Sequence, residues 1–229
     1  MVEEKILFNE FLRPHIFVGA FFFLEVFYMQ KQNIRNIAVT AIMGAIGFVL
    51  MVLGFPISFL IPPFIKFDFS ELPALVTAFA LGPWWGVLVC LIKNILHLPL
   101  SDTMYIGEAS NFILGAIFVC ISGYVYKINK NRKSALIGTI IGALTMAIIS
   151  VVTNYFIVYP SFAAVGVIDA PNPMQVILSM YQAILPSVEN LFEALVIFNL
   201  PFNLAKGLID AAICFVIYKK LSPILKAKK

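Results

Sequence analysis

The feature that most constrains the fold is a series of long apolar runs, separated by short segments rich in proline, glycine or basic residues. Of the 229 residues, 61% are hydrophobic and only 12% are charged, whereas a soluble domain has about 25% charged residues. So little charge cannot cover a water-facing surface. The runs are also continuous, unlike the alternating segments of about ten residues in a membrane β-barrel. We therefore expect an all-α integral membrane protein.

Composition and motifs exclude several classes of function. The formal charge of +4 is not a nucleic-acid signal, because the basic residues cluster at the ends of the apolar runs. Cys90, Cys120 and Cys214 lie far apart in apolar runs, as small buried hydrophobic residues do. His15 and His97 have no neighbour at ligand spacing, so no metal site is expected. We find no catalytic triad pattern, no zinc-protease helix and no P-loop, so we expect neither an enzyme nor ATP hydrolysis.

Six apolar runs predict six transmembrane helices. The second and third are shorter than the roughly 20 residues that a perpendicular helix needs, so they are either tilted and packed against protein or partly re-entrant. Residues 29–229 would form one six-helix domain. The runs cover residues 34–53, 70–81, 84–98, 108–126, 135–159 and 200–218.

Basic residues predict the orientation in the membrane. They cluster before the first run, between the fourth and fifth, and after the last. The positive-inside rule then places both termini in the cytoplasm of a cell whose plasma membrane the chain crosses several times, as in prokaryotes. The loops 55–69, 99–107 and 160–199 would lie outside. The clusters are Lys31 and Arg35; Lys127, Lys130, Arg132 and Lys133; and Lys219, Lys220, Lys226, Lys228 and Lys229.

The first 28 residues do not fit the six-helix pattern. Residues 16–28 are rich in phenylalanine, but the run is short and is interrupted by Glu25. It lacks the basic start and small-residue cleavage site of a signal peptide. We interpret residues 1–28 as an upstream-start artefact or a disordered extension, with a natural start at Met29.

The segment 174–198 is also difficult to place. It is apolar, yet Glu189 and Glu193 are spaced to share a helix face. We interpret it as an amphipathic helix or a helical hairpin at the outer surface. A spanning helix here would move the carboxyl terminus and its five lysines outside, which the charge rule disfavours.

Polar side chains inside the apolar runs indicate where a ligand binds. Lys206 lies within the last run, where a lysine costs several kcal/mol unless it faces a cavity or a partner. Asn203 shares its helix face. Amide and ammonium groups of this kind can bind the edge of a pyrimidine-dione or a chain of hydroxyls, although hydrogen bonds between helices remain an alternative. The other polar residues of this kind are Asp68, Glu71, Lys93, Asn94, Glu108, Asn111 and Asn154.

Two further patterns bear on binding. Residues 56–73 are rich in proline and phenylalanine, including Phe67, and offer either stacking faces for a flat ring or an interfacial aromatic belt. In this segment Asp68 or Ser70 is placed to cap the next helix. Ala41 and Ala45 have the small-residue spacing that permits close helix approach, either within the chain or to another membrane subunit.

Several motifs in order resemble the substrate-binding S component of energy-coupling-factor (ECF) transporters, and more narrowly the riboflavin-specific members. The resemblance begins near Gln30, continues to the end of the chain, and leaves out residues 1–28. It rests on Phe67-Asp68-Phe69-Ser70-Glu71-Leu72-Pro73, Gly82-Pro83, Lys93-Asn94-Ile95-Leu96-His97, Gly107-Glu108-Ala109-Ser110-Asn111, Asn154-Tyr155 and Pro201-Phe202-Asn203-Leu204-Ala205-Lys206-Gly207.

The resemblance implies a six-helix bundle that binds riboflavin, with FMN or roseoflavin sharing the pocket, and that uses no cofactor. It implies a gating loop after the first helix, and docking to a transmembrane coupling subunit driven by two ATPase subunits. The implied docking residues are Ala41 and Ala45, and the implied substrate-binding residues are Asn154, Asn203, Lys206, Glu71, Asp68, Phe67 and Asn111.

Three alternatives remain open from the sequence. The chain is also compatible with an S component for another vitamin. It is compatible with a membrane enzyme that uses Glu71, His97 and Glu108. An ion-coupled carrier acting alone is a third possibility, although we find no inverted repeat or matched pair of broken helices.

Overall fold

The computed structural model describes residues 33–168 and 170–225, with side chains as far as residue 218. The interpretation of residues 1–28 therefore lies outside the described residues. Seven helices are present in the described part of the chain. They are α1 (Asn33–Val52), α2 (Glu71–Leu81), α3 (Pro83–His97), α4 (Ile106–Ile128), α5 (Arg132–Ala164), α6 (Pro173–Gln182) and α7, which runs from Leu191 to Leu225.

Five of these helices are long and apolar enough to cross a membrane: α1, α3, α4, α5 and α7. The expected all-α membrane fold is therefore confirmed. Helix α2 has only 11 residues, fewer than the roughly 20 of a perpendicular span. The number of crossings and the cytoplasmic placement of both termini stay predictions.

The connection between α1 and α2 folds back on itself instead of forming an open loop. Its two short strands, β1 (Phe55–Pro56) and β2 (Lys66–Phe67), pair antiparallel with Phe55 opposite Phe67. Between the strands, the side chain of Ile61 is fully buried. We call residues 55–69 the hairpin segment, and its buried core ties it to the helices that it covers.

Helices α5 and α7 each contain a π turn shortly before a proline. In α5 the π turn Asn154–Val158 precedes Pro160, and in α7 the π turn Leu195–Asn199 precedes Pro201. Proline lacks an N–H group, and its ring crowds the carbonyl of the preceding turn. A π turn widens the backbone locally, so each helix continues through its proline. The prediction that the fifth span ends at residue 159 is therefore wrong.

The last long helix begins earlier than the sequence indicated, at Leu191 rather than at residue 200. The side chain of Asn190 accepts a hydrogen bond from the Glu193 N–H at 2.9 Å, and the Glu193 carboxylate accepts one from the Glu189 N–H at 2.9 Å. This pattern resembles a capping box, except that the Glu193 carboxylate accepts from Glu189, one residue before the N-cap Asn190. The two glutamates therefore do not share a helix face. They mark a helix start, and the segment 174–198 is divided between α6 and α7.

Close helix packing in the bundle depends on glycine. A Cβ atom added at Gly86 of α3 would lie 2.5 Å from Val119 Cγ1 on α4 and 2.7 Å from the Ala78 Cβ on α2. A hydrogen in place of a side chain therefore lets three helices meet at this point, as small residues do in membrane bundles.

We expect Gly86→Ala to destabilise the fold by about 1–3 kcal/mol, because the new methyl group overpacks a three-helix contact. Thermal unfolding of the detergent-purified protein measures this as a lower Tm. Gly47→Ala is the matched control, since its Cβ would meet its nearest neighbours at an ordinary 3.4 Å. Equal Tm values for the two variants would contradict the packing argument.

Candidate ligand-binding site

A cavity of about 160 Å³ lies at one end of the bundle. Its walls come from the last turns of α1 and α3, the first turns of α4, the π-turn regions of α5 and α7, and the hairpin segment, so every wall belongs to the same end. Both aromatic rings and polar groups line it. The polar lining residues are Lys66, Asp68, His97, Asp102, Thr103, Glu108, Ser110, Asn111, Asn154, Tyr159, Asn199, Asn203 and Lys206.

Five of the seven substrate-binding candidates line this cavity: Asp68, Asn111, Asn154, Asn203 and Lys206. They come from the hairpin segment, α4, α5 and α7, so only the tertiary fold brings them together. The Oδ1 atom of Asn111 is buried and has no hydrogen-bond partner among the described residues. A buried amide oxygen is seldom left unpaired, so this atom is a candidate acceptor for a ligand donor.

A buried ion pair connects the hairpin segment to α7. The Lys206 Nζ lies 3.0 Å from Asp68 Oδ2 and 3.1 Å from Glu71 Oε2, and all three residues are buried. A lone buried charge costs several kcal/mol, so the two carboxylates make a lysine tolerable at this depth. Asp68 also fastens the hairpin segment over the cavity.

Glu71 does not line the cavity, and its assignment as a substrate-binding residue stays a prediction. Its Oε1 lies 2.7 Å from Lys93 Nζ, while its Oε2 faces Lys206. Lys93 is fully buried and also donates to Ser70 Oγ, so this lysine is paired inside the protein. Glu71 therefore links two cations and acts on the cavity only through Lys206.

Phe67 does not line the cavity either. Successive side chains of a strand point to opposite faces, and in β2 it is Lys66 that lines the cavity. The Phe67 ring instead packs edge-on against Phe202 and Phe69, with centroid distances of 6.0 and 5.3 Å. It supports the Phe202 ring, which does line the cavity.

The first helical turns beyond the hairpin also differ from the sequence interpretation. Ser70 occupies the N-cap position of α2, but its side chain makes no capping hydrogen bond. Asp68 Oδ1 instead accepts from the Ser70 N–H at 2.8 Å. Asp68 therefore fixes the backbone at this bend with one oxygen and pairs with Lys206 through the other.

A ring of three buried polar side chains escaped the sequence analysis. The hydroxyl oxygens of Tyr159 and Tyr181 lie 2.6 Å apart, Tyr181 donates to Asn199 Oδ1 at 2.6 Å, and Asn199 Nδ2 donates to Tyr159 at 3.3 Å. Tyr159 and Asn199 line the cavity. Tyr181 comes from α6, which the sequence analysis left outside the site.

The polar stripe on α7 was detectable in principle. Asn199, Asn203, Lys206 and Asp210 follow one another at helical spacing, which places them on one face. Placing the helix start at residue 200 left Asn199 in a loop and hid the pattern. Asp210 is buried, and neither of its carboxylate oxygens has a hydrogen-bond partner among the described residues.

The proposed enzyme residues are not arranged for joint catalysis. Glu108 accepts from Ser101 Oγ at 2.7 Å and lies 2.9 Å from His97 Nδ1, so both neighbours bind the same carboxylate. Glu71 is held by two lysines instead. Among the described residues, Glu71 shares no hydrogen bond with His97 or Glu108, so the three do not form one hydrogen-bonded catalytic set.

The two alanines assigned to partner docking lie on the outer surface of α1. Ala41 and Ala45 are exposed and one turn apart. The neighbouring Ile42 and Ile46 side chains are 61% and 45% exposed. This face of α1 is therefore apolar and is not covered by the described residues. At the two alanines the short side chains leave room for another helix to approach closely.

Comparison with known proteins places the chain in a family. The family model "ECF transporter, substrate-specific component" matches residues 35–218. The chain is 32% identical to the riboflavin transporter RibU of Staphylococcus aureus, over 86% of this chain and 95% of that protein. It is 28% identical to the riboflavin transporter FmnP of Bacillus subtilis, over 86% of this chain and 97% of that protein.

A solved structure described as the S component of a bacterial ECF transporter shares the fold. The TM-score is 0.64 at 31% sequence identity, and the match covers 86% of this chain and 99% of the other. The family model, the relatives and the fold agree. The chain belongs to the substrate-specific components of ECF transporters, which are membrane transport proteins and not enzymes.

Proposed function

We propose that this chain is the riboflavin-binding subunit of an ECF importer. It captures the vitamin at the extracellular side and delivers it by docking to a transmembrane coupling subunit that two ATPase subunits drive. The observation that carries this proposal is the cavity, which combines aromatic walls with convergent amides in a fold whose relatives are named riboflavin transporters.

The aromatic walls suit a flat ring system. Phe64 stands edge-on to Tyr159 and Phe162, with centroid distances of 5.8 and 6.0 Å, and Phe202 lines the cavity with them. Rings arranged in this way favour stacked or edge-on contact with a further aromatic group. The isoalloxazine ring of a flavin is such a group, in riboflavin as well as in FMN and roseoflavin.

The amides suit the polar parts of the vitamin. Asn203 Nδ2 donates to Ser150 Oγ at 3.1 Å and to the Asn199 carbonyl at 2.9 Å, which leaves its Oδ1 as an acceptor for a ligand hydroxyl. Asn111 Oδ1 is a second acceptor, and Asn154 contributes another amide. Hydroxyl donors of a ribityl chain match this set of acceptors.

In this proposal, the hairpin segment is the gate through which the ligand enters the cavity. It supplies Phe64, Lys66 and Asp68 to the cavity wall, and its Asp68–Lys206 ion pair ends at the wall of the same cavity. Opening the segment would separate this pair, so entry of the ligand is coupled to the charge network. Lys206 contributes to binding in two ways, as a cavity donor and as the anchor of the gate.

Riboflavin binding is the first outcome to test. The detergent-purified protein is expected to carry a flavin absorbance spectrum that is released on denaturation, or to quench the fluorescence of added riboflavin at one equivalent. A colourless protein that quenches nothing would exclude riboflavin and leave another vitamin as the substrate. Uptake into vesicles without any ATPase would instead support a carrier that acts alone.

Removing the anchoring charge is expected to weaken both binding and folding. Lys206→Met keeps the length of the side chain but leaves Asp68 unpaired, and breaking a buried pair in this way costs about 3–5 kcal/mol. Thermal unfolding and riboflavin fluorescence titration measure the two losses. The double variant Asp68→Asn/Lys206→Met is expected to recover much of the stability but not the affinity. A Lys206→Met protein as stable as the wild type would contradict the pairing.

Widening the alanine face is expected to block transport and leave binding intact. Ala41→Trp or Ala45→Trp would obstruct a close approach of another helix. Neither alanine lines the cavity. Cells that contain the coupling and ATPase subunits should then take up little riboflavin, while the purified variant binds it normally. Ile137→Trp, at a 52% exposed position on α5, is the control. Equal loss of uptake in the control would contradict a docking role specific to α1.

A further inference from the structure

Tyr181 touches the cavity only through other residues. It lies on α6, its side chain is fully buried, and it is absent from the cavity lining, whereas its two hydrogen-bond partners, Tyr159 and Asn199, both line the cavity. The hydroxyl of Tyr181 therefore controls two groups that a ligand would meet.

The atoms that meet in this ring give the direction of each hydrogen bond. Asn199 faces Tyr181 with its Oδ1, at 2.6 Å, and an amide oxygen can only accept. Tyr181 therefore donates to Asn199 Oδ1. Because a hydroxyl has one proton, Tyr159 must be the donor in its 2.6 Å contact with Tyr181.

The third contact closes the ring head to tail. With its oxygen facing Tyr181, the Asn199 amide turns Nδ2 toward Tyr159, at 3.3 Å. Each of the three groups then donates once and accepts once. The one alternative reverses every bond and would require Asn199 Nδ2, and not Oδ1, to face Tyr181.

The ring determines what this wall presents to the cavity. Asn199 Nδ2 keeps a second hydrogen, which no acceptor among the described residues takes, while Tyr159 has already donated its only proton. The wall therefore offers an N–H donor beside a hydroxyl acceptor. A ligand edge that matches it carries an acceptor beside a donor, as the carbonyl and N–H of a cyclic imide do.

We propose that Tyr181 is a positioning residue that fixes this polarity, so that Asn199 and Tyr159 select the imide edge of a flavin ring. The inference rests on the proposed riboflavin-binding function and deepens it. It assigns ligand selection to a residue on α6 that never contacts the ligand.

The surroundings of Tyr181 keep it a donor. Burial raises the pKa of its hydroxyl well above the ordinary value, and the neighbouring Tyr159 adds to the rise. The aromatic side chain of Tyr181 is packed in the cluster that also holds Phe162, Ile177 and Leu195. Its hydroxyl is therefore shielded from solvent and keeps its hydrogen-bond partners.

The test compares riboflavin with N3-methylriboflavin, which lacks the imide donor, by fluorescence titration of the purified full chain. Tyr181→Phe is expected to weaken riboflavin binding roughly tenfold, because the Asn199 amide loses the donor that orients it. It should also reduce the preference for riboflavin over the methylated analogue. Tyr155→Phe is the control, because Tyr155 packs against the same cluster but lies outside both the ring and the cavity lining.

A double-variant cycle separates positioning from packing. In an Asn199→Ala background, Tyr181→Phe is expected to cause no further loss of affinity, because the residue acts through the missing amide. The inference is overturned if Tyr181→Phe binds both flavins as the wild type does. It is equally overturned if its effect persists in full without Asn199, or if the preference between the flavins is unchanged.

Failure of the underlying function has a different signature. If the wild-type chain binds neither flavin, the riboflavin assignment itself falls, and this inference falls with it. If the wild type binds riboflavin but the cycle is additive, only the positioning role is lost.

Discussion

Four buried charges hold the ligand-binding end of this protein together. Lys206 pairs with Asp68 and Glu71, and Lys93 pairs with Glu71. Each of these ions alone would cost several kcal/mol in such an environment, so each is stabilised by at least one partner of opposite charge. Because they come from the hairpin segment, α2, α3 and α7, their mutual dependence fixes the relative positions of four parts of the chain around one cavity.

The same network bears on how the proposed gate could be held closed and still open. The hairpin segment is held by aromatic packing around Phe67 and by one ion pair to α7. If Asp68 withdrew in the proposed opening, Lys206 would still have Glu71 at 3.1 Å, and Asp210 lies one turn further along the same helix face. The lysine would therefore not become a lone charge.

Backbone irregularity shapes the opposite wall of the cavity. Both π turns end two residues before a proline, and each contains a buried asparagine that lines the cavity, Asn154 in α5 and Asn199 in α7. Each proline therefore lies just beyond a widened turn whose asparagine belongs to the cavity wall.

The sequence by itself determined the class of protein and part of its site. Too little charge for a soluble surface required membrane helices, and the cost of a lysine in an apolar run was enough to make Lys206 a functional candidate. Only the tertiary structure decided which polar residues meet. Local spacing cannot show that Glu71 forms ion pairs with two lysines, that Phe67 lies outside the cavity lining, or that Tyr181 of α6 hydrogen-bonds to Asn199. Those contacts join residues far apart in the chain, and they depend on the hairpin fold, the π turns and the early start of α7, which hydrophobic patterning does not encode.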